Sequence, residues 1–392
     1  MQRRMAVTVL SLSAAAIILT ACSSSGSASS NPSSASSTAT SASSTGSQTS
    51  DATGVAAAKA FLAQGEIAPT SIGVTTPLLR KPATGKLIVN LLTDTPGAEI
   101  ISEDEGQAAA ALGWQYKAIS IGNSATGIQT AFDSALALKP APFGITTVGY
   151  PSSEIQAQLK EAQSKGILVV DGATTDPATP PVIANINDGP QQGILGKDLA
   201  AVVVADSDGD AHVATFNISA FPLLAVSVTY FNTWLKTWCP ACTNTIVNEQ
   251  ITDIGTTAPQ SVVNTFESDP SLQYALYTYG DISLGVDAAL KTAGLLGKVK
   301  QIGQDPTLQD LADLKNKTAL AYIGYDNAVF AWRMIDAFAR ASEGMSLAAV
   351  NNVPLPRQIL TQQNIGSMEA DQGGNFLAPA DYQAQFEKLW HV

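Results

Sequence analysis

Short apolar, β-branched segments alternate with amphipathic segments along most of the chain beyond residue 86. A first series of predicted strands comprises 86–92, 115–120, 143–149, 167–172 and 181–187. A second series begins after residue 188 and comprises 212–219, 244–251, 274–280, 298–303 and 318–324. Strands that alternate with helices indicate βαβ units, and therefore parallel sheets covered on both faces. The pattern predicts an α/β protein with two doubly wound lobes of similar build.

Two further segments, 52–64 and 151–166, show helical patterns. The first predicts one short helix, and three prolines after it indicate an extended lead-in to the first strand. In the second, Ser153 and Gln156 have the spacing of a capping box, and Gly166 marks the expected end of the helix.

The longest predicted helix follows Gly324 and ends at Gly344. Its apolar positions recur at helical spacing and are Phe330, Met334, Phe338 and Ala341. The segment NNVPLPRQILTQQNI after it predicts one more short strand.

The first 22 residues have the anatomy of a secretory leader. Arg3 and Arg4 precede a mostly apolar segment, residues 6–19, which is shorter than the roughly 20 residues that a spanning helix needs. The leader ends in LTAC, which resembles the lipobox of bacterial lipoproteins. This resemblance implies a signal peptide of residues 1–21 and a lipid anchor at Cys22. An ordinary signal peptide that leaves a free thiol is the alternative.

The segment 22–50 differs sharply in composition from the rest of the chain. After the cysteine it consists almost entirely of Ser, Thr, Ala and Gly, and none of its residues is charged. Such a segment cannot bury enough apolar surface to offset its ordering entropy, so we expect a flexible tether. Residues 51–85 then form an N-terminal extension before the first lobe.

The overall charge excludes several classes of function. The formal net charge is −12, and removal of residues 1–21 takes away two arginines and no acid, which makes it −14. An acidic surface disfavours nucleic-acid binding. His212 and His391 are the only histidines, and no catalytic or nucleotide-binding motif is present. We therefore expect no enzyme activity, no cofactor and no metal.

Cys239 and Cys242 have the spacing of a thioredoxin-type motif. Thioredoxin-type cysteines lie at a helix N-terminus, whereas this pair follows a helical pattern and precedes a strand. That position favours a structural disulfide in an oxidising compartment over a redox site. Neither histidine has ligand spacing to the pair, which disfavours zinc.

The order of elements resembles the type I periplasmic binding proteins of the ribose-binding-like group. The resemblance covers about residues 57–392 and is carried by ALGWQYKAI, QLKEAQSKGILVV, YGDISLGVDAALKTAGL, IGQDPTLQDL, LPRQILTQQNI and YQAQFEKLW. The segments TTPLLRKPATGKLIV and CPACTNTIVNEQITDIGT resemble a subgroup of lipid-anchored solute-binding proteins of actinobacteria. The resemblance implies an α/β fold with two lobes, joined by a hinge that the chain crosses three times.

The expected crossings divide the chain between the lobes. They lie near 185–188, 323–325 and 354–360. The first lobe then comprises 86–187 plus 325–353, and the second comprises 188–324 plus 354–392.

Ligands of open α/β sheets bind beyond the carboxyl ends of the strands. This rule selects the candidate ligand-binding residues Asp94, Thr95, Tyr150, Asp171 with Thr174, Asn217, Phe221, Tyr279, Asp281, Gln304, Asp305 and Tyr325. Carboxylates and amides suit the hydroxyl groups of a polyol, and aromatic rings suit the apolar face of a sugar. As alternatives, Asp281 and Asp305 could cap the helices that follow them, and the aromatic residues could serve in packing.

The chain departs from the ribose-type members of the family. Gly97 and Ala98 stand where those members carry phenylalanines, Ala225 lies near the place of an expected arginine, and Gly280 replaces an asparagine. No lysine or arginine occurs within 198–235. A neutral and partly apolar ligand is therefore as well suited to the site as a ribose or pyranose.

The resemblance implies an extracytoplasmic lipoprotein, anchored to the cell membrane, that delivers a small neutral ligand to an ABC permease. We expect a monomer without nucleic-acid partners. The alternative is a sensory subunit that presents its closed form to a signalling receptor.

Overall fold

The computed structural model describes residues 45–122, 125–351 and 353–392. The predicted signal peptide, Cys22 and most of the predicted tether lie outside the described residues. Within them, no helix is long and apolar enough to cross a bilayer.

The first sheet has five parallel strands in the order β2-β1-β3-β4-β5. Its strands are β1 (Leu87–Leu92), β2 (Gln115–Ser120), β3 (Gly144–Val148), β4 (Leu168–Gly172) and β5 (Val182–Ile186). Each lies within a residue or two of its predicted bounds. Strands β1, β3, β4 and β5 are mostly buried, as is typical of parallel strands covered on both faces, whereas the edge strand β2 is largely exposed.

The second sheet has six strands in the order β11-β10-β9-β8-β6-β7. Its strands are β6 (His212–Ile218), β7 (Thr243–Glu249), β8 (Tyr274–Tyr277), β9 (Lys300–Gln304), β10 (Ala319–Tyr325) and β11 (Arg357–Thr361). All neighbouring strands are parallel except β11, which pairs antiparallel with β10. The prediction of two parallel α/β lobes is confirmed.

Helices connect and cover the strands of both sheets. They are α1 (Thr45–Gly65), α2 (Pro96–Ala111), α3 (Ala125–Leu136), α4 (Gln156–Lys165), α5 (Gly189–Ser207), α6 (Pro222–Trp238), α7 (Ala258–Ser268), α8 (Val286–Thr292), α9 (Leu308–Asn316), α10 (Asn327–Ser342), α11 (Ala348–Asn351) and α12 (Tyr382–Trp390). The predicted capping box of α4 is wrong. Ser153 lies in a separate 3₁₀ turn, and the residue before α4 is Ile155, which makes no side-chain cap.

The chain passes between the two sheets three times. The first passage follows β5 of the first sheet and leads to α5, which packs against β9 and β10 of the second sheet. The second passage follows β10 of the second sheet and leads to α10, which packs against β4 and β5 of the first. The chain returns to the second sheet at β11. These passages place the ends of both sheets around a common cleft.

Helix α1 begins at Thr45, six residues inside the predicted tether, and packs on α5 and α6. The ammonium group of Lys197 lies 3.8 Å from the ring centre of Trp234 and 4.3 Å from that of Phe61. Favourable cation–π contacts therefore hold α1 to the helices of the second sheet.

Helix α10 is buried around its whole circumference, including Arg333 and Arg340. The Arg340 guanidinium pairs with Asp336 at 2.7 Å and donates to the Thr76 carbonyl, while Arg333 donates to the Ile72 carbonyl at 2.6 Å. Buried charges need such partners. Through these hydrogen bonds the two arginines fix the extended segment that contains Ile72 and Thr76 against α10.

The C-terminal helix departs from the expected division of the chain. We expected residues 354–392 to belong with the second lobe. The Trp390 ring stacks on Trp332 of α10, with ring centres 5.2 Å apart, and the Tyr382 ring meets the same indole edge-on. Helix α12 therefore packs with the helices of the first sheet.

Candidate functional site

A cavity lies between the carboxyl ends of the strands of the two sheets. It is formed mainly by residues in or just after the strands of both sheets. The strand order reverses between β1 and β3 in the first sheet and between β6 and β8 in the second, and open α/β sheets bind ligands at such points. The cavity measures about 80 Å³, several times the roughly 10–15 Å³ that one water molecule requires.

Six of the residues predicted from the sequence line this cavity. They are Thr95, Phe221, Tyr279, Gln304, Asp305 and Tyr325. Each ends a strand or follows one within three residues, and Thr95 and Phe221 also immediately precede α2 and α6.

The other predicted residues lie outside the cavity lining. The exposed Asp94 accepts a hydrogen bond from Ser120, and the buried Asp171 accepts one from Thr147. Within the second sheet, the Asn217 amide donates a hydrogen bond to Asn248 and accepts one from Thr278. The remaining three are Tyr150, Thr174 and Asp281.

The cavity also contains polar residues that were not predicted from the sequence. They are Asn90, Thr93, Asn187, Gln192 and Thr278. A signal for the first of them was present, because Asn90 is the only polar residue of the apolar strand β1. Gln192 carried no such signal, since it lies on a helix rather than at a strand end.

Two buried amide atoms in this lining have no protein partner. They are Oδ1 of Asn90, an acceptor, and Nδ2 of Asn187, a donor that faces the Tyr325 hydroxyl group without meeting the geometry of a hydrogen bond. These side chains are only 2% and 5% exposed. Buried polar groups are nearly always hydrogen-bonded, so both atoms are suited to a bound polar molecule.

A chain of amides orients Asn187. Gln192 Nε2 donates to Asn187 Oδ1 at 3.2 Å, and Gln304 Nε2 donates to Gln192 Oε1 at 3.0 Å. Ser227 donates to Gln304 Oε1, which completes the chain. Because Oδ1 of Asn187 is engaged, its Nδ2 remains for a ligand.

The two lobes touch across the cleft. The hydroxyl groups of Thr95 and Tyr279 lie 3.0 Å apart, and the Gly97 amide donates to Asp281 at 3.4 Å. The Phe221 ring lies edge-on to both Tyr150 and Tyr279, with ring centres 6.3 Å apart in each pair. The two lobes are therefore in direct contact on either side of the cavity.

The carboxyl groups of Asp281 and Asp305 do not cap the helices that follow them. Helix α8 begins after Gly285, and Thr307 caps α9 in a capping box with Asp310. Asp305 instead accepts hydrogen bonds from Asn327 at 2.7 Å and Tyr325 at 3.2 Å.

Burial raises the pKa of Asp305 to about 7 despite the two hydrogen bonds that favour its charged form. Burial is also the largest influence on Asp281, whose pKa is raised. Among the described residues, no lysine or arginine lines the cavity, and most of the lining side chains are apolar. Asp305 is therefore only partly ionised near neutral pH.

Cys239 and Cys242 are bonded to each other at the C-terminal end of α6, the opposite end of the helix from the residues that line the cavity. Each is 1% exposed, and the Ala211 amide donates to the sulfur of Cys242. This enclosed position leaves no accessible thiol for exchange with another protein. In the described part of the chain, no cluster of three or more His, Cys, Asp or Glu residues could hold a metal ion.

Comparison with solved structures identifies the class of fold. An ABC transporter solute-binding protein from Agrobacterium vitis with bound allitol has 20% identity and a TM-score of 0.62, covering 72% of this chain and 98% of its own. The 5-methylthioribose transporter solute-binding protein from Thermotoga lettingae has 16% identity and a TM-score of 0.65, covering 80% and 100%. A solute-binding protein from Burkholderia graminis in complex with D-arabinose has 14% identity and a TM-score of 0.62, covering 74% and 99%.

The chain therefore has the two-lobed fold of the solute-binding proteins of ABC transporters. These structural neighbours are binding proteins and not enzymes. No protein-family model matches the sequence, and no curated protein matches it.

Proposed function

We propose that this protein is an extracytoplasmic solute-binding lipoprotein of an ABC importer, and that it encloses a small neutral ligand, a sugar or related compound, between its lobes. The observation that carries this proposal is the pair of unpartnered amide atoms in the cavity, one on Asn90 in β1 and one on Asn187 at the first passage between the lobes. A ligand with vicinal hydroxyl groups can donate to the first and accept from the second.

The lining also indicates the character of the ligand. The apolar part includes Leu92, Ile101, Val148, Leu223 and Leu224. A charged ligand would lose its hydration on entering this cavity. Within the described residue ranges, the cavity has no basic residue to compensate an anion, and burial disfavours the charged form of its one carboxyl group, that of Asp305. A neutral molecule with a polar end and an apolar end suits this lining best.

Ligand binding would favour the closed form. We place the hinge at the three passages of the chain, near residues 187–188, 326 and 353–356. The contacts of Thr95 with Tyr279 and of Gly97 with Asp281 exist only when the lobes are together. A ligand that contacts both lobes stabilises this arrangement over the open one, and the closed surface would then dock on a permease.

The anchor and the disulfide complete the proposal. Cys22 would carry the lipid, and residues 22–44 would tether the binding domain to the membrane. The Cys239–Cys242 pair would be a structural disulfide, consistent with an oxidising compartment. Mass spectrometry of the mature N-terminus tests the anchor, because an unmodified Cys22 contradicts it.

The test of function is a thermal-shift screen of the protein without residues 1–21. Allitol, D-arabinose and 5-methylthioribose form the first panel, followed by other polyols, pentoses and hexoses, and by charged analogues. A ligand at 100 times its Kd stabilises the folded state by about 2.7 kcal/mol. We expect at least one neutral compound to raise the melting temperature, and no response in any class contradicts the proposal.

A pair of asparagine variants makes the test specific to the cavity. Asn90→Ala removes a lining amide, whereas Asn217→Ala removes a buried amide at the end of β6 that does not line it. Both variants should lose stability. Only Asn90→Ala should weaken ligand binding, by about tenfold or more in Kd.

A further inference from the structure

Two hydrogen-bonded chains in the first lobe end on one buried carboxyl group, that of Glu105 on α2. Asn90 Nδ2 donates to Thr146 Oγ1 at 3.0 Å, and Thr146 Oγ1 donates to Glu105 Oε2 at 2.7 Å. From the other side, Ser102 meets the Tyr116 hydroxyl at 2.8 Å, and that hydroxyl donates to the same Oε2 at 3.4 Å. Glu105 is fully buried and makes no ion pair with the described residues.

The directions of these hydrogen bonds follow from the donor inventory. A hydroxyl group has one proton, so a Thr146 that donates to Glu105 can only accept from Asn90. Asn90 must therefore direct its NH₂ group toward Thr146, and its amide also faces the carboxyl group of Glu105. This leaves Oδ1 of Asn90 as the atom presented to the cavity, where it has no protein partner.

This direction is fixed when Glu105 is ionised, because a carboxylate can only accept. Burial raises the pKa of this carboxyl group to about 8, and the hydrogen bonds from Thr146, Tyr116 and Asn90 oppose that shift. The neutral acid keeps the same direction when its proton is on Oε1, which is buried and has no other partner among the described residues, because Oε2 then still accepts from both hydroxyl groups. The groups that face the carboxyl come from α2, β1, β2 and β3, and none of them is charged.

We propose that Glu105 is a positioning residue for ligand specificity: acting through Thr146, it holds the Asn90 amide so that the first lobe presents an acceptor, which selects ligands with a hydroxyl donor at that place. Without an acceptor at position 105, the Thr146 proton is free to turn to Asn90 Oδ1. The amide then rotates and presents a donor instead. The selectivity for hydroxyl donors rests on the proposed function, whereas the orientation of the amide does not.

The experiment measures hydrogen exchange of the Asn90 side-chain amide in the ligand-free protein. Selective ¹⁵N-asparagine labelling reports the Nδ2 protons, and the Asn90→Asp variant assigns them. In Glu105→Met the carboxyl acceptor is lost, and we expect exchange to accelerate by about tenfold. Glu105→Gln retains an acceptor oxygen, and Ser102→Ala removes only the other chain, so both should stay within about twofold of the parent protein.

Two results overturn the proposal. One is unchanged exchange of Asn90 in Glu105→Met or, if that variant does not fold, in Thr146→Val. The other is an equal acceleration at the backbone amides of Val89 and Ile145, because Glu105 would then merely stabilise the sheet. Since no ligand is used, a failed ligand screen leaves this result intact, and an unchanged Asn90 leaves the proposed function intact.

Discussion

The hydroxyl groups of Thr95 and Tyr279 lie 3.0 Å apart and join the two lobes beside the cavity. Thr95 precedes α2 on the first lobe, and its side chain also accepts from the Ala98 amide. Tyr279 follows β8 on the second lobe. This contact can form only in the closed arrangement, so its removal should change the balance between closed and open forms.

Tyr279→Phe should shift the unliganded protein toward the open form. One net hydrogen bond is worth about 1 kcal/mol, which corresponds to a change of about fivefold in the equilibrium. Small-angle X-ray scattering should show a larger radius of gyration. Tyr277→Phe is the matched control, because its hydroxyl bonds Gln301 within the second lobe, and it should leave the scattering unchanged. Identical scattering curves for the two variants would exclude a role for Tyr279 in closure.

Gly97→Ala should hinder closure by steric contact. A Cβ atom at this position would lie 2.8 Å from the Tyr279 hydroxyl oxygen, closer than such contacts allow. Alanine otherwise favours a helix over glycine by about 1 kcal/mol, so α2 itself should not be weakened. Distances between spin labels, one on each lobe, should lengthen in this variant. Gly189→Ala, which meets open space, should not change them, and an unaltered distance in Gly97→Ala would contradict the steric explanation.

The protein should be more stable at pH 5.5 than at pH 8.5. Burial raises the pKa of Asp305 and Asp326 to about 7, that of Asp310 to about 6 and that of Glu105 to about 8. The folded state therefore binds protons that the unfolded state has released. Stability that is fully present below the unfolded pKa of about 4 is lost as the pH rises through 6 to 8.

Urea denaturation at several pH values measures this dependence. We expect the free energy of unfolding to fall by at least about 2 kcal/mol between the two pH values. Glu105→Gln should reduce the loss above pH 7, whereas Glu99→Gln, an exposed change on the same helix, should not. A free energy of unfolding that rises with pH would show that these carboxyl groups are ionised in the folded protein.

Arg340→Met should strongly destabilise the protein. Arg340 and Asp336 are both fully buried and pair at 2.7 Å, so removal of one partner leaves an uncompensated buried group. Such changes cost about 3–5 kcal/mol. Glu161→Gln breaks an ion pair with Lys165 in which both side chains are at least 40% exposed, and it should cost less than about 1 kcal/mol. Equal losses in the two variants by urea denaturation would contradict this account of α10.

The strands were predictable because their signal is local. Runs such as LIVNLL and LVVDG are buried on both faces, and their bounds follow from composition and flanking residues alone. The helix caps were less predictable. Ser153 and Asp305 have the residue type and spacing of caps. In the folded protein, however, the carboxyl group of Asp305 accepts hydrogen bonds from Tyr325 and Asn327 instead of capping a helix.

The sequence by itself determined the class of fold and the order of the elements. It also determined half of the candidate site residues, those that end or follow a strand. Periodicity and the position of strand ends are properties of the local chain. Only the tertiary structure decided which side chains face the cavity. Asn90 and Gln192 lie inside a strand and a helix, and their atoms become available through hydrogen bonds to residues distant in the sequence, Thr146 and Gln304. Such partnerships depend on how two sheets and their helices pack, which no local pattern encodes.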